Sequence, residues 1–159
     1  MTSVFPFFRW ASDTWVAHLI ADSTWIFPAL EGVHIVALAM LFGAVMFVDL
    51  QLLGVIRSDT PVWRLEKSLR PWTFCSLVII LVTGALLFSS EATKLYNSAP
   101  FRIKVVMLFL AIVFHFTIHR KATQTEGRPA DLKLDRLTAA VSLVLWLSVG
   151  LAGRAIGFF

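Results

Sequence analysis

The run FPALEGVHIVALAMLFGAVMFVDLQLLG, from Phe27 to Gly54, decides the fold class. Between Gly32 and Val48 it contains no Asp, Glu, Lys or Arg. With its flanks it is long enough, at ~1.5 Å per residue, to cross the ~30 Å hydrocarbon core of a bilayer as one helix. Glu31 and His34 lie three residues apart near its start, so they share a helical face, and Asp49 lies near its end. Ionisable groups at the mouth of a membrane helix are costly unless partnered, and they mark a candidate functional site.

Three more apolar segments follow. Pro71 to Ser90 is twenty residues without a charge, and Thr73, Ser76 and Thr83 recur along it at helical spacing, with Gly84 beside Thr83. Such a stripe suits close helix packing with hydroxyl hydrogen bonds. The third segment, about 100–120, opens with Arg102 and Lys104, and the fourth, about 137–158, carries Gly150, Gly153 and Arg154. Ahead of them all, residues 1–24 mix Phe5, Phe7, Phe8, Trp10 and Trp15 with Arg9, Asp13, His18 and Asp22. That pattern reads as an amphipathic segment lying in the membrane interface, with Ser23 or Thr24 placed to cap the helix behind it. The fold class is therefore all-α: an integral membrane four-helix bundle over residues 25–159, with helices near 27–54, 71–90, 100–120 and 137–158, behind an N-terminal interfacial segment.

Composition agrees. The 159 residues are 58% hydrophobic and 15% charged, where a soluble domain carries about a quarter charged residues, and the mean hydropathy is +0.79. The single cysteine, Cys75, sits in an apolar segment and reads as a buried hydrophobe, not as part of a disulfide framework or a paired-cysteine metal site. The net charge of +4 comes from basic residues in the loops, so the bilayer, and no nucleic acid, is the implied partner. Nine of them (Arg57, Arg64, Lys67, Arg70, Arg120, Lys121, Arg128, Lys133, Arg136) fall at one end, against five (Arg9, Lys94, Arg102, Lys104, Arg154) at the other. The positive-inside tendency then puts the two long loops in the cytoplasm and both termini in the periplasm of a bacterial inner membrane. A cleavable leader is not evident, and the first membrane helix is expected to act as its own insertion signal. Spacings for a Ser-His-Asp triad, a phosphate loop, a zinc-protease helix or a dinucleotide fold are missing, and no catalytic residue is singled out.

Alternating helices bring Glu31, His34, Ser89, Ser90, Lys104 and Arg154 to one end of the bundle. An acid, an imidazole and two cations at one depth read as a cofactor site with His34 as the metal ligand. The competing account has Lys104 and Arg154 snorkelling to the interface, with Glu31 pairing one of them in a buried network. Near the other end, His115 and His119 at i, i+4 can point the same way, and imidazole suits zinc, copper, nickel or haem iron. By position alone His119, next to Arg120 and Lys121, reads as a contact to the helix C-terminus and headgroups, while His115 needs a partner more urgently. Depth separates these groups. His34 lies ~10 Å into its helix and His115 ~22 Å into its own, with His119 further still. A single ligand at His34, or separate sites at the two ends, fits that count; one haem shared by His34 and His119 does not. His18 reaches the outer site only if the N-terminal segment folds back over it. Asp49 is read as an interfacial anchor, and Met40, Met46 and Met107 as packing.

The Phe27–Gly54 run, with RPWTF (70–74), TGALLFSSEA (83–92), PFRIKVVMLFLA (100–111), IHR (118–120) and LWLSVGLAGRAIGFF (145–159), resembles a bacterial family of small four-helix membrane proteins of unknown function. Its recurring pieces map onto Glu31, His34, Asp49, Pro71, Thr83 with Gly84, Lys104, His119, and Gly153 with Arg154; His115 and His18 stand outside the pattern. More distantly, a histidine in the first helix and a lysine in the third are similar to HemJ-type protoporphyrinogen oxidases and to CopD-type copper-resistance proteins. The first likeness implies haem b on His34, the second copper handling at the outer face. Three expectations result. The first is a b-type cytochrome-like redox protein whose cofactor residues are drawn from His34, Glu31, Lys104, Arg154, His115 and His119. The others are an accessory subunit of a larger membrane complex or a homo-oligomer, and a copper or solute transporter.

Overall fold

A computed structural model of the chain describes residues 5–123 and 132–156. These form helices and short connections, with no strand among the described residues. Two short helices, α1 (Phe5–Ser12) and α2 (Trp15–Ala21), precede α3 (Ile26–Leu52), α4 (Val62–Leu95) and α5 (Ala99–Phe114). A π-helical turn (His115–His119) continues α5 into α6 (Arg120–Thr123), and α7 (Leu132–Ile156) closes the bundle. The stretches Ile26–Leu52, Val62–Leu95, Ala99–Thr123 and Lys133–Ile156 are each long and apolar enough to cross a membrane. The chain is a multi-pass membrane protein whose solvent is lipid. α3 packs along α4, α5 packs along α7, and α3 also meets α7, while α4 and α5 meet through the stacked rings of Phe88 and Phe101, 5.3 Å apart.

Packing is arranged for that solvent. Val36, Phe109, Val144 and Leu151 point outward, all more than half exposed, while small and hydroxyl residues such as Ala37, Thr73, Ser76, Ala111, Ala139 and Ser142 are buried. Lipid tails are as apolar as leucine, so burying leucine gains little. Helices associate instead through close backbone approach and interhelical hydrogen bonds. The Thr73, Ser76, Thr83 stripe lies on the buried face as its spacing suggests. Leu41, Val45, Leu77, Ile80, Trp146 and Val149 fill the centre.

The element ends differ from the sequence expectation for identifiable reasons. α3 stops at Leu52 because Gly54, at φ +77°, closes it. The Gly54 N–H donates to the Gln51 carbonyl and the Val55 N–H to the Leu50 carbonyl, each at 3.0 Å, which is a Schellman cap. α4 begins at Val62, well before Pro71, so Pro71 lies inside a helix instead of opening one. There it leaves the Lys67 carbonyl without its intrahelical donor. Part of the expected basic loop 57–70 is thus helix, and α4 turns irregular again at Glu91 (φ −125°, ψ 18°). α7 starts at Leu132 instead of 137. Arg128, residues 1–4 and residues 157–159 lie outside the described residues.

The N-terminal segment is more structured than an amphipathic strip on the surface. Thr14 caps α2, its Oγ1 accepting from the Ala17 N–H at 3.3 Å, and both short helices pack against α4. Phe8 is the anchor: its ring meets Phe88 (5.3 Å), Tyr96 (5.3 Å) and Phe101 (6.4 Å). Trp10, Trp15 and Trp25 stay exposed, the placement of interfacial tryptophan. Ser23 Oγ accepts from the N–H groups of Trp25 and Ile26, while Trp25 itself occupies the cap position of α3. Phe8→Ala is expected to release α1: limited proteolysis in detergent will cleave the N-terminal segment, while the α3–α7 remainder keeps its melting temperature. Unchanged protection would show that α1 is held by other contacts.

Candidate functional site

At the end where α3 begins, all four membrane helices contribute to one spot on the bundle axis. His34 of α3 is buried and its Nδ1 lies 2.8 Å from Thr83 Oγ1 of α4. The Thr83 hydroxyl also lies 2.6 Å from the Ile79 carbonyl; with its proton directed to that carbonyl, Oγ1 accepts from Nδ1–H of the ring and Nε2 keeps its lone pair, with no hydrogen bond to it among the described residues. Gly84 makes room for this ring: a Cβ there would stand 3.3 Å from His34 Cε1. Lys104 of α5 is within electrostatic reach of His34. It lies against Gly153 of α7, where a Cβ would meet Nζ at 3.4 Å and Cε at 3.5 Å. Lys104 is half-buried and makes no ion pair among the described residues.

Some of the expected outer cluster does not assemble. Glu31 is exposed and forms no ion pair with Lys104 or Arg154 among the described residues, so the buried acid–base network is corrected. The reason is angular: His34 takes the inward face of α3, and Glu31, three residues earlier, falls off that face toward the surface. Ser89 and Ser90 donate to their own helix, at the Leu86 and Leu87 carbonyls. Arg154 is exposed one residue beyond Gly153. His18 is exposed on α2.

The opposite end holds a second group. Asp49 is completely buried and its Oδ1 lies 2.7 Å from Nε2 of His119, itself 1% exposed. Asp49 is thus no interfacial anchor, and His119 is not a headgroup contact. The π-helical turn makes the difference. The Arg120 N–H bonds to the His115 carbonyl five residues back, a register that turns His119 inward, and such turns recur at functional sites. Thr123 Oγ1 then takes the His119 carbonyl at 3.0 Å. The rings of His115 and His119 stack at 5.0 Å, and Trp146 of α7 stands edge-on to His115 at 6.3 Å. Asp49 Oδ2 and the Nδ1 atoms of both histidines are buried without a partner among the described residues. A cavity of about 400 Å³ lies alongside, between α3, α4 and the π-helical turn, reaching Glu66, Arg70, His115 and His119. Glu66 and Arg70 are paired, Nη2 to Oε2 at 2.9 Å and Nε to Oε1 at 3.3 Å.

His34 and Asp49 sit on one helix ~22 Å apart at ~1.5 Å per residue. The two imidazole groups occupy opposite ends of the bundle. Among the described residues, no three His, Cys, Asp or Glu side chains come together as a metal-ligand group.

A model of a family of unknown function, DUF6644, matches residues 7–159. The chain belongs to that family. No curated protein and no solved structure matches it, and the distant likeness to HemJ-type and CopD-type proteins gains no support there. Within this DUF6644 chain, most residues behind the family resemblance sort into the two groups. His34, Thr83, Gly84, Lys104 and Gly153 stand at one end, and Asp49, Pro71 and His119 at the other. Thr83 and Gly84 were legible only as packing residues. Glu66 and Arg70 had one signal, their i, i+4 spacing.

Asp49→Ala leaves the buried His119 ring without its partner and is expected to cost roughly 1–3 kcal/mol, read as a lower unfolding midpoint in a detergent–denaturant titration. Asp49→Asn, which keeps an acceptor, will lose less. Equal losses for both variants would show that the hydrogen bond contributes nothing beyond packing.

Proposed function

We propose that the protein is a small bacterial inner-membrane redox protein that holds a b-type haem between its helices, with Nε2 of His34 as axial ligand. One observation carries the reading: Nδ1 of the buried His34 is held by Thr83 at 2.8 Å, which, with the Thr83 proton on the Ile79 carbonyl, leaves Nε2 as the free lone pair. Metal-ligating histidines are oriented in this way by their other nitrogen, and helix bundles commonly build cofactor sites from facing helices. Lys104 adds to it. A half-buried ammonium with no acidic partner among the described residues suits an anionic group such as a propionate. Arg154 supplies a second cation near that level. His115 and His119 stand apart from this site, and Glu31 is left to tune it from the surface. A bound haem would supply one-electron chemistry. The chain's own residues hold the ligand nitrogen, fix its proton on the far side and balance charge. The basic loops lie in the cytoplasm and both termini in the periplasm, in keeping with the charge bias.

The same nitrogen would serve copper, so the test must separate the two. Detergent-purified protein from haem-sufficient cells is expected to show a Soret band, sharp α and β bands on dithionite reduction, and a positive pyridine haemochrome. All of these will be lost in His34→Ala. Thr83→Val is expected to keep the haem but raise its midpoint potential, because a ring whose Nδ1–H has lost its acceptor is a weaker donor. A colourless protein would overturn the proposal. Metal content that falls in His34→Ala would then favour copper handling, and co-purification with other membrane subunits would favour an accessory role.

A further inference from the structure

The basic end of the bundle carries a feature that the haem at His34 does not use. We propose that the cavity between α3, α4 and the π-helical turn is a site for an anionic phospholipid, its phosphate held between Arg70 and Arg120 and one acyl chain lying along the apolar walls.

The lining changes character along the bundle axis. At the loop end it includes Arg70 of α4 and Arg120 of α6. One turn further in it is Phe74 of α4 and Phe116 of the π-helical turn, with Val48 and Ala44 of α3 on the far wall. Both arginines are exposed, and Trp72, two residues from Arg70 and 57% exposed, marks the headgroup level. A wall that is cationic at the interface and apolar toward the membrane centre matches a charged head on a hydrocarbon chain that runs along the helices. The opening faces the bilayer, since Phe74 and Phe116 line the cavity and are 57% and 41% exposed. Its volume of about 400 Å³ is near the lower end of the ~300–1,000 Å³ of small-molecule sites, so a chain enters while the headgroup stays at the rim.

The sign of the headgroup follows from the charges at that rim. Glu66 accepts from Nε and Nη2 of Arg70, at 3.3 and 2.9 Å, which uses two of the five N–H donors of a guanidinium. The contact fixes the Arg70 fork in place and leaves its remaining donors to a ligand. Arg120 has no acidic partner among the described residues. Two guanidinium groups against one carboxylate leave one positive charge in excess, the match of a single phosphodiester. Planar N–H forks suit phosphate oxygens, and basic pockets between membrane helices at the cytoplasmic side bind anionic headgroups. A zwitterionic lipid brings its own cation to the same rim and gains less.

The site is independent of the haem and is tested without it. Full-length protein in phosphatidylcholine vesicles is given a phosphatidylglycerol that carries a photoactivatable diazirine in one acyl chain, and the labelled peptides are mapped. Saturable labelling is expected on peptides containing Phe74 and Phe116, displaced by unlabelled phosphatidylglycerol but not by further phosphatidylcholine. In Arg120→Gln the probe fraction for half-maximal labelling is expected to rise roughly fivefold, one cation's share of the attraction to an anionic headgroup. Arg120→Lys, which keeps the charge, is expected to lose less. Arg64→Gln is expected to change nothing, because Arg64 lies over the Trp63 ring at 5.2 Å, at the same end but outside the cavity lining. The label map on the unaltered protein decides the matter even if a variant fails to fold. Three results would overturn the proposal. Displacement by phosphatidylcholine as readily as by phosphatidylglycerol would reduce the site to ordinary lipid contact. Labelling confined to other segments would place the lipid elsewhere, and equal losses in Arg64→Gln and Arg120→Gln would show a diffuse basic surface.

Discussion

Inside a bilayer no water is at hand to satisfy a buried polar group, so each one must be met by the protein or by something the protein binds. The two buried histidines show both halves of that rule. His34 has one nitrogen satisfied by Thr83, and His119 has one satisfied by Asp49. Each keeps the other nitrogen unmet by any described residue. Thr83 Oγ1 in turn lies 2.6 Å from the Ile79 carbonyl, so the contact to His34 is tied to the backbone of α4. Much of the bundle follows from holding these two rings in place. Gly84 gives His34 its space, the π-helical turn aims His119, and α3 carries one member of each pair at its two ends.

The membrane helices were legible because their signal is long and one-dimensional: runs of apolar residue with charges confined to the loops. The ends were less so, since Pro71 looks like a boundary in sequence. In the structure it lies inside α4, beside the cavity. Of the candidate site, the depth count correctly separated His34 from His115 and His119, because axial distance along a helix is simple arithmetic. Rotation about the axis was not legible. Glu31 and His34 share a face at three-residue spacing, yet a modest turn of α3 buries one and exposes the other. Asp49 reads in sequence as an anchor, and His119, by position alone, as a contact to the helix end and headgroups. Their pairing needs a one-residue register shift in the π-helical turn, and no spacing rule announces such a shift.

The two ends differ in what they ask of a ligand, and the difference is one of charge and access. Near His34 the half-buried Lys104, without an acidic partner among the described residues, lies within electrostatic reach of the ring where all four helices meet. That environment favours a resident group carrying negative charge. Near His119 the polar groups are met within the protein, Asp49 by the His119 ring and Glu66 by Arg70.

The ~22 Å between His34 and Asp49 is too far for direct contact between the two groups. Between them lies a packed core of Leu41, Val45, Leu77, Ile80 and Trp146, with the buried hydroxyl residues Ser76 and Ser142 in the same interior. The aromatic contact from His115 to Trp146 ties the second group into that core. α3, packed along α4 and against α7, is the spacer that holds the two buried rings apart, so each is fixed by its own partner and neither by the other.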